Sequence, residues 1–536
     1  MSPPPRTRGD VRPHGQIRQS QVVTTFGPGA MVDLPDHAVI VGGLDHWSGW
    51  REHRIREERL EPKVAALLGL PSVDLYAPPP DRDEPGAPIT GITAWQFPEW
   101  FIAQHEVRNT ETGSRSRPLI HRRDLVRGRY EFERQKYRVV PVRFVQACTA
   151  GHVSDIDWRL FAHGPGSTCQ RAPLWMDERG TSGDLTAITV RCECGANKAL
   201  SAATKLNDKP LGFCSGDRPW LGSYGREDCR TGEGTPRLSR LLIRSASHAY
   251  FAQTLSVISI PEADEPIREA VEEAWTDFLQ YCESESDVTR ERRRDRVSRA
   301  LEGHSDADVW VEVQRRKDGL PPPSVGIREV ELQTLLSSQP EIGDDRPGGD
   351  FYARAVRLRP SEARWFDRIV KVHRLREVVA LVGFTRFDAA VSDIQGELEL
   401  DVERASLARE TTWVPAFENR GEGVFVALRK EEIDAWRTRR AVATRAKKLD
   451  AGYTAWKQQR RITSGQFPGA RFVMLHSLSH LLITAISLEC GYAASSIRER
   501  IYVGDQGCGV LLYTASPDAE GTLGGLVEAA DRKSVV

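Results

Sequence analysis

Between Arg143 and Cys229 the chain gathers six of its nine cysteines, together with His152 and His163. Thiolates and imidazoles are the ligands zinc takes in a tetrahedron, and a bound ion ties together short segments that bury too little apolar surface to hold one another. Cys148 and His152 open the stretch in RFVQACTAGHVSDIDW, Cys169 follows in AHGPGSTCQ, Cys192 and Cys194 stand in VRCECGANKAL, and Cys214 and Cys229 close it in GFCSGDRPWLGSYGREDC. The turn Cys192-Glu193-Cys194-Gly195 puts two thiols on one tight loop, with a glycine that tolerates positive φ. With Cys214 and Cys229 as the second pair, the expected zinc ligands are Cys192, Cys194, Cys214 and Cys229. Cys148, His152, Cys169 and His163 either complete that site or make another, and spacing leaves both arrangements open; Cys148, His152 and Cys169 are the second choice of ligands. Buried free thiols acting as small hydrophobes are the alternative to metal, but loops rich in glycine and charge are poor places for core packing. Four protein ligands make a structural site, whereas three and an open position activate water. The closed, structural form is the expectation.

A chain of 536 residues has room for several cores. Lys plus Arg number 74 against 75 Asp plus Glu, a formal charge of -1, so no global basic field announces a nucleic-acid binder and any such surface must be local. The amino-terminal MSPPPRTRGDVRPHGQIRQ has no apolar segment of the secretory kind. A cytoplasmic location without a membrane span is therefore expected, and reduced thiols there favour metal over disulfides.

The elements that would position these groups follow from periodicity and punctuation. Gly27-Pro28-Gly29 makes a turn before two short strands around Ala30–Leu34 and Ala38–Val41. Arg51–Leu70 reads as an amphipathic helix stopped by Gly69 and Pro71. YRVVPVRFVQAC reads as the strand that delivers Cys148, and IREAVEEAWTDFLQYC has the 3.6-residue period of a helix. SEARWFDRIVKVHRLREVVALVGFTRF spaces Trp365, Ile369, Val372 and Leu375 for one buried helix face, while TTWVPAFENRGEGVFVAL reads as strand, turn and strand with a charged tip. The fold class expected is α+β and multidomain. Its parts are an α/β segment over 1–130, a cysteine-rich zinc module of β type over 131–260, a helical charged connector over 261–345 and a mixed α/β domain over 346–536.

Three further sets of residues carry possible chemistry. Glu418 and Glu422, with Asp518 and Glu520 farther on, are carboxylates suited to acid/base work, although nothing nearby supplies a nucleophile. Arg437, Arg439, Arg440, Arg445, Lys447 and Lys448 lie in a basic helical stretch with Trp436, Tyr453 and Trp456, the best local candidate for contact with a nucleic-acid backbone. His476 and His480 stand four apart on one helix face, in a segment read as buried. Ser477 occupies the place of the glutamate in HExxH, so a histidine pair bonded inside the core is preferred to a metal site.

FGPGAMVDL, VRFVQACTAGHVSDIDW, CSGDRPWLG, SASHAYFAQTLSVISIP, WVPAFENRGEGVFVAL, HSLSHLLITAISLECGYAASSIRERIY and GVLLYTASPDAEGTLGGL, in that order across nearly the whole chain, resemble the DrmB family of bacterial DISARM anti-phage subunits. The resemblance implies a domain also found at the carboxyl end of some helicases, an SNF2-type helicase partner (DrmA) and a role on foreign DNA beside a methyltransferase. Helicase-linked relatives often carry a cysteine cluster near their carboxyl end, and no such cluster stands here. The expected function is that of a non-catalytic subunit that binds the helicase and helps it engage DNA. The chain has no Walker lysine, helicase DExx box or evident triad. The alternative is a metal-dependent nuclease or hydrolase using Cys148, His152, His476 or His480 with Glu418, Glu422, Asp518 or Glu520.

Overall fold

A computed structural model describes residues 17–34, 37–80, 90–108, 113–166, 169, 172–180, 183–222, 225–261, 265–317, 326–346, 349–389, 403–460, 465–516 and 525–529. Helices and mainly antiparallel sheets alternate irregularly along it, an α+β architecture with twelve α-helices among the described residues. The chain divides into two compact units. One comprises Met1–Leu255, Val379–Val391 and Leu400–Phe417, and the other Ser256–Val378, Ser392–Glu399 and Glu418–Val536.

In the first unit, the turn around Gly29 leads into the antiparallel pair Met31–Asp33 and Ala38–Val41. Gly29 has φ +82°, and a Cβ there would stand 2.5 Å from the Phe384 ring, so the position requires glycine on both counts. The main sheet runs in the order Val139–Pro141, Trp100–Ala103, Arg115–His121, Leu174–Glu178, Ile188–Cys192, Asn197–Ala199. Period-two alternation turns Ile188, Val190 and Cys192 to one face. There they pack with Leu174 and Met176 against Trp158, Phe161 and Ile156, all about 1% exposed or less. Burial of each such side chain is worth about 1.5–3 kcal/mol, so this face anchors the strands that carry several of the cysteines. A smaller sheet joins Val153–Ser154, Phe144–Ala147 and Arg240–Ile243. The expected helix over Arg51–Leu70 is shorter, Leu60–Leu68, closed by Gly69 at φ +67°.

The second unit begins with a helical layer. Glu265–Trp275, Glu285–Glu291, Asp295–Ala300 and Asp306–Lys317 enclose Val271, Leu279, Val288, Val297, Leu301, Val309 and Val313, each fully buried. A sheet follows, and here two expectations fail. The stretch read as a helix over SEARWFDRIVKVHRLREVVALVGFTRF is a twenty-residue strand, Phe366–Thr385. Ile369, Val370, Val372, Val378, Val379 and Val382 are β-branched and lose little in a strand, and their burial outweighs the coincidental helical spacing. TTWVPAFENRGEGVFVAL is one continuous strand, Trp413–Leu428. No turn forms at Gly421 and Gly423, because the whole segment from Arg420 to Leu428 pairs with Cys508–Ser516. The residues of these two long strands are divided between the units. One ion pair of the second unit is fully buried. Arg500 donates to both oxygens of Glu331 at 2.7 and 2.8 Å, with Tyr502 on the same carboxylate at 2.9 Å, which is what a buried ion requires.

Candidate metal centres

Two four-residue clusters of soft and imidazole ligands form in the first unit, and neither has the membership expected from spacing. Cys148, His152, Cys214 and Cys229 make one, and His163, Cys169, Cys192 and Cys194 make the other; in each, the four ligand atoms lie within 4.8 Å of one another. The expected set of Cys192, Cys194, Cys214 and Cys229 is thus split. Its two pairs go to different centres, because strand pairing carries the Cys192 hairpin to the helix Trp158–His163 while the loops bearing Cys214 and Cys229 close on the turn after Phe144–Ala147. Cys148, His152 and Cys169, the second choice, are members too.

The first centre is built on a tight turn. Cys148 N donates to His152 O at 3.1 Å and Gly151 N to Cys148 O at 3.1 Å, with Gly151 at φ +89°. The turn is anchored by Arg386, a fully buried cation whose guanidinium donates to the carbonyls of Gly151 at 2.9 Å, Gly29 at 2.7 Å and Ala249. The loop bearing Cys214 joins it through Val153 N to Asp217 O at 3.2 Å. Cys148 Sγ stands 3.8 Å from Cys229 Sγ and 3.3 Å from His152 Nδ1. With zinc–sulfur bonds of about 2.3 Å and zinc–nitrogen bonds of about 2.05 Å, a tetrahedron has edges of about 3.8 Å between sulfurs and about 3.6 Å from sulfur to nitrogen. The spacing is that of a zinc site. His152 Nε2 lies 2.7 Å from Glu227 Oε1, and Glu227 is held in turn by Arg218 at 2.6 Å. A carboxylate only accepts, so Nε2 carries a proton and Nδ1, on the side of the sulfurs, is the nitrogen that would face a bound ion.

Electrostatics at this centre are those of thiols crowded on one point. Hydrogen bonding from Cys214 brings Cys148 down to about 4, against the pull of burial and with help from His152. Burial pushes Cys229 up to about 11, and the Cys148 thiolate adds to it. That thiolate's hydrogen bond raises Cys214 as well, ahead of burial. One thiolate forms readily, and its charge holds its neighbours protonated until a cation balances them.

In the second centre His163 closes the helix Trp158–His163, whose first turn is capped by Asp157 accepting from Leu160 N at 2.9 Å. Its Nδ1 is 2.8 Å from the Arg159 carbonyl and its Nε2 is 3.2 Å from Cys194 Sγ. A carbonyl only accepts, so Nδ1 is the protonated nitrogen and Nε2 the free one, the opposite tautomer to His152. Arg159 donates to the carbonyls of Cys169 at 3.0 Å and Ala172 at 2.8 Å, which fixes the segment bearing the third ligand. Gly195, at φ +99°, turns the chain so that Cys192 N and O bond Ala196 and Gly195 and the Cys194 thiol faces His163. Cys192 is buried while Cys194 is exposed.

The remaining sequence candidates lie in the second unit. Glu418 is bound by the buried Arg376. Glu422 is 1% exposed and accepts from Leu526 N at 2.8 Å, so it is a paired core group where a charged loop tip was expected. Asp518 and Glu520 lie outside the described residues. Arg437 is on the helix Lys430–Thr438, Arg439 is its cap, and Arg440, Arg445, Lys447 and Lys448 are on Arg440–Arg460; all six are exposed. Arg437 and Lys447 border an open groove of about 1090 Å³ with Tyr453, Lys457, Asp434 and Asp450. His476 and His480 are exposed on the helix Gly469–Cys490, against the expectation of a core pair, and share Glu499. That helix is long and apolar enough to cross a membrane by length and composition alone.

Comparison with known proteins places these features. Residues 18–251 match the model of a domain of unknown function, DUF8724, and residues 478–534 match that of the MrfA Zn-binding domain. Over 399 residues the chain is 31% identical to the DISARM protein DrmB of Bacillus paralicheniformis, covering 72% of this chain and 68% of that protein. The chain belongs to the DrmB family. Both four-ligand clusters of this DrmB-family chain fall inside the DUF8724 match. The zinc implied by the second match meets a different ligand set, because residues 478–534 contain only two cysteines, Cys490 and Cys508. Cys490 Sγ is 3.3 Å from the Gly525 carbonyl. Cys508 is 2% exposed in an apolar core, its thiol pushed up to about 11 by burial. Among the described residues neither belongs to a cluster of metal ligands. A cysteine tetrad does not fit this segment.

Proposed function

We propose that this chain is a non-catalytic subunit of a bacterial DISARM anti-phage complex, that it binds a DrmA-type SNF2 helicase in the cytoplasm, and that it helps that motor engage foreign DNA. It acts as a scaffold braced by two structural zinc ions. One is held by Cys148, His152, Cys214 and Cys229, the other by His163, Cys169, Cys192 and Cys194. The observation that carries this function is the closure of both clusters. Each offers four ligand atoms within 4.8 Å, and each histidine has its other nitrogen on an oxygen at 2.7 or 2.8 Å. Four protein ligands complete the coordination of zinc and leave no position for substrate or activated water. Membership of the DrmB family supports the defence role. The exposed cations of Arg437, Arg439, Arg440, Arg445, Lys447 and Lys448 supply the local charge for phosphate contact.

Co-expression with a DrmA-type helicase tests the proposal. The purified chain alone turns over no ATP and cuts no DNA, co-purifies with the helicase, and raises its DNA affinity or DNA-stimulated ATPase. DNA cleavage by the chain alone, or failure to associate with the helicase, overturns it.

A further inference from the structure

We propose that His476, His480 and Glu499 form a third metal site, of a different kind: an exchangeable site for a divalent transition metal with coordination positions open to solvent. It goes beyond the scaffold function and does not depend on it.

The two histidines are four apart on the helix Gly469–Cys490, so their side chains share a face. Their rings meet edge to face at 4.6 Å. The strand Ile497–Val503 brings Glu499 to them. Its Oε1 lies 2.8 Å from His476 Nδ1 and 4.0 Å from His480 Nε2. The three ligand atoms lie within 4.8 Å of one another, while bonds of about 2.1 Å call for separations of about 3.4 Å in a tetrahedron. Small side-chain rotations close that difference. Glu499 is also held from behind. The Ser479 hydroxyl, fully buried, lies between Oε2 and the His476 carbonyl 2.7 Å away, shares its proton with them, and leaves Oε1 turned to the histidines. A ligand carboxylate fixed by a buried hydroxyl is the outer-shell arrangement of metal sites. An exposed histidine–carboxylate pair formed for its own sake is worth little and calls for neither the second imidazole nor the buried donor.

Two imidazoles and one carboxylate suit zinc, cobalt, nickel or manganese better than magnesium or calcium. The side chains of His476 and His480 are 48% and 64% exposed. Water therefore fills the remaining positions and the ion exchanges readily, in contrast to the closed thiolate centres. His480 and Glu499 lie inside the segment that matches the MrfA Zn-binding domain, and His476 lies two residues before it. This stretch, where a cysteine tetrad does not fit, holds ligands of another kind.

The test uses the full chain, dialysed briefly against a mild chelator and then titrated with zinc by calorimetry and with cobalt by absorption. Wild type takes up one equivalent whose cobalt spectrum lacks thiolate charge-transfer bands. His480→Ala and Glu499→Gln weaken that equivalent at least about tenfold, a ligand being worth no less than the 10–100-fold of an outer-shell partner. Zinc retained through dialysis stays the same in all three proteins, and so does the melting temperature of His480→Ala. Identical isotherms in wild type and both variants overturn the proposal, as does an added equivalent with thiolate bands.

Discussion

Glu227 Oε1 lies 2.7 Å from His152 Nε2, and that contact turns the imidazole's other nitrogen toward the Cys148 sulfur 3.3 Å away. Glu227 is not a member of the four-residue cluster, yet it fixes the tautomer of His152 and raises the basicity of its other nitrogen. Glu227→Ala is expected to lower the zinc affinity of this centre about 10–100-fold, with Glu227→Gln in between. The His163 centre keeps its ion in both. Competition against a chromogenic chelator reads this directly, and equal affinities in the three proteins would remove Glu227 from the site.

Gly216 shows how closely the two cysteine loops approach. A Cβ at this residue would stand 1.7 Å from the Glu227 carbonyl oxygen, at φ +73°. Its amide also donates to Cys214 Sγ at 3.3 Å. Gly216→Ala must therefore move backbone as well as strain it, and a loss of more than about 2 kcal/mol is expected. Gly212→Ala, also at positive φ but with nothing within 4 Å of the added methyl, should cost only about 1–2 kcal/mol. Denaturant midpoints compare the two, and similar losses would contradict the close approach.

Asp155 accepts from Glu99 N through both oxygens, at 3.2 and 3.0 Å, and burial pushes its carboxyl up to about 7. The unfolded chain releases that proton near pH 3.9. The folded state thus holds the proton over a window in which the unfolded state has lost it, and stability falls as pH rises from about 4 to 7. Asp155→Asn does not titrate, so it should gain stability relative to wild type across that window and hold the gain above it. Parallel stability profiles for the two proteins would show that Asp155 is not the group responsible.

Charge reversal at Arg437, Arg439 and Arg440 should weaken DNA binding by the helicase complex without changing the fold, since all three are exposed. The effect should be larger at low salt. The slope of log affinity against log salt should fall by up to about 3, one counterion for each lost phosphate contact. Unchanged binding across a salt series would move the DNA path elsewhere.

Much of this was legible before the fold was known, and the rest fails for physical reasons. The residues of the two clusters were visible by type, because thiols gathered in glycine- and charge-rich loops point to metal more than to core packing, although Cys192 also packs in the apolar core. Their partition was not, since the assignment of Cys192 and Cys194 to His163 depends on the pairing of Leu174–Glu178 with Ile188–Cys192, a long-range event with no local signature. The helix expected over SEARWFDRIVKVHRLREVVALVGFTRF failed because apolar residues at helical spacing, such as Ile369, Val372 and Leu375, also fit a strand, which here is buried on both faces from Leu375 to Thr385, and β-branched content arbitrates between the two. Glu422 looked like a loop tip because charge in a strand reads as solvent exposure. Its backbone-amide partner, Leu526, is 104 residues away. His476 and His480 were placed in a core by the apolar run around them, but only a narrow face of that helix is buried, at Leu475, Ser479 and Ile486, and Leu481 and Leu488 are 70% and 83% exposed.

The most direct measurement is the zinc content of the purified chain after dialysis against a mild chelator, with Cys214→Ser and Cys194→Ser beside it. Two firmly held ions are expected in wild type and one in each variant, with the double variant empty and the loops around the lost centre exchanging amide hydrogen freely, because structural zinc is worth on the order of 10 kcal/mol to a small module. A single ion lost in both variants, or no firmly held ion at all, would contradict the account of two separate closed centres.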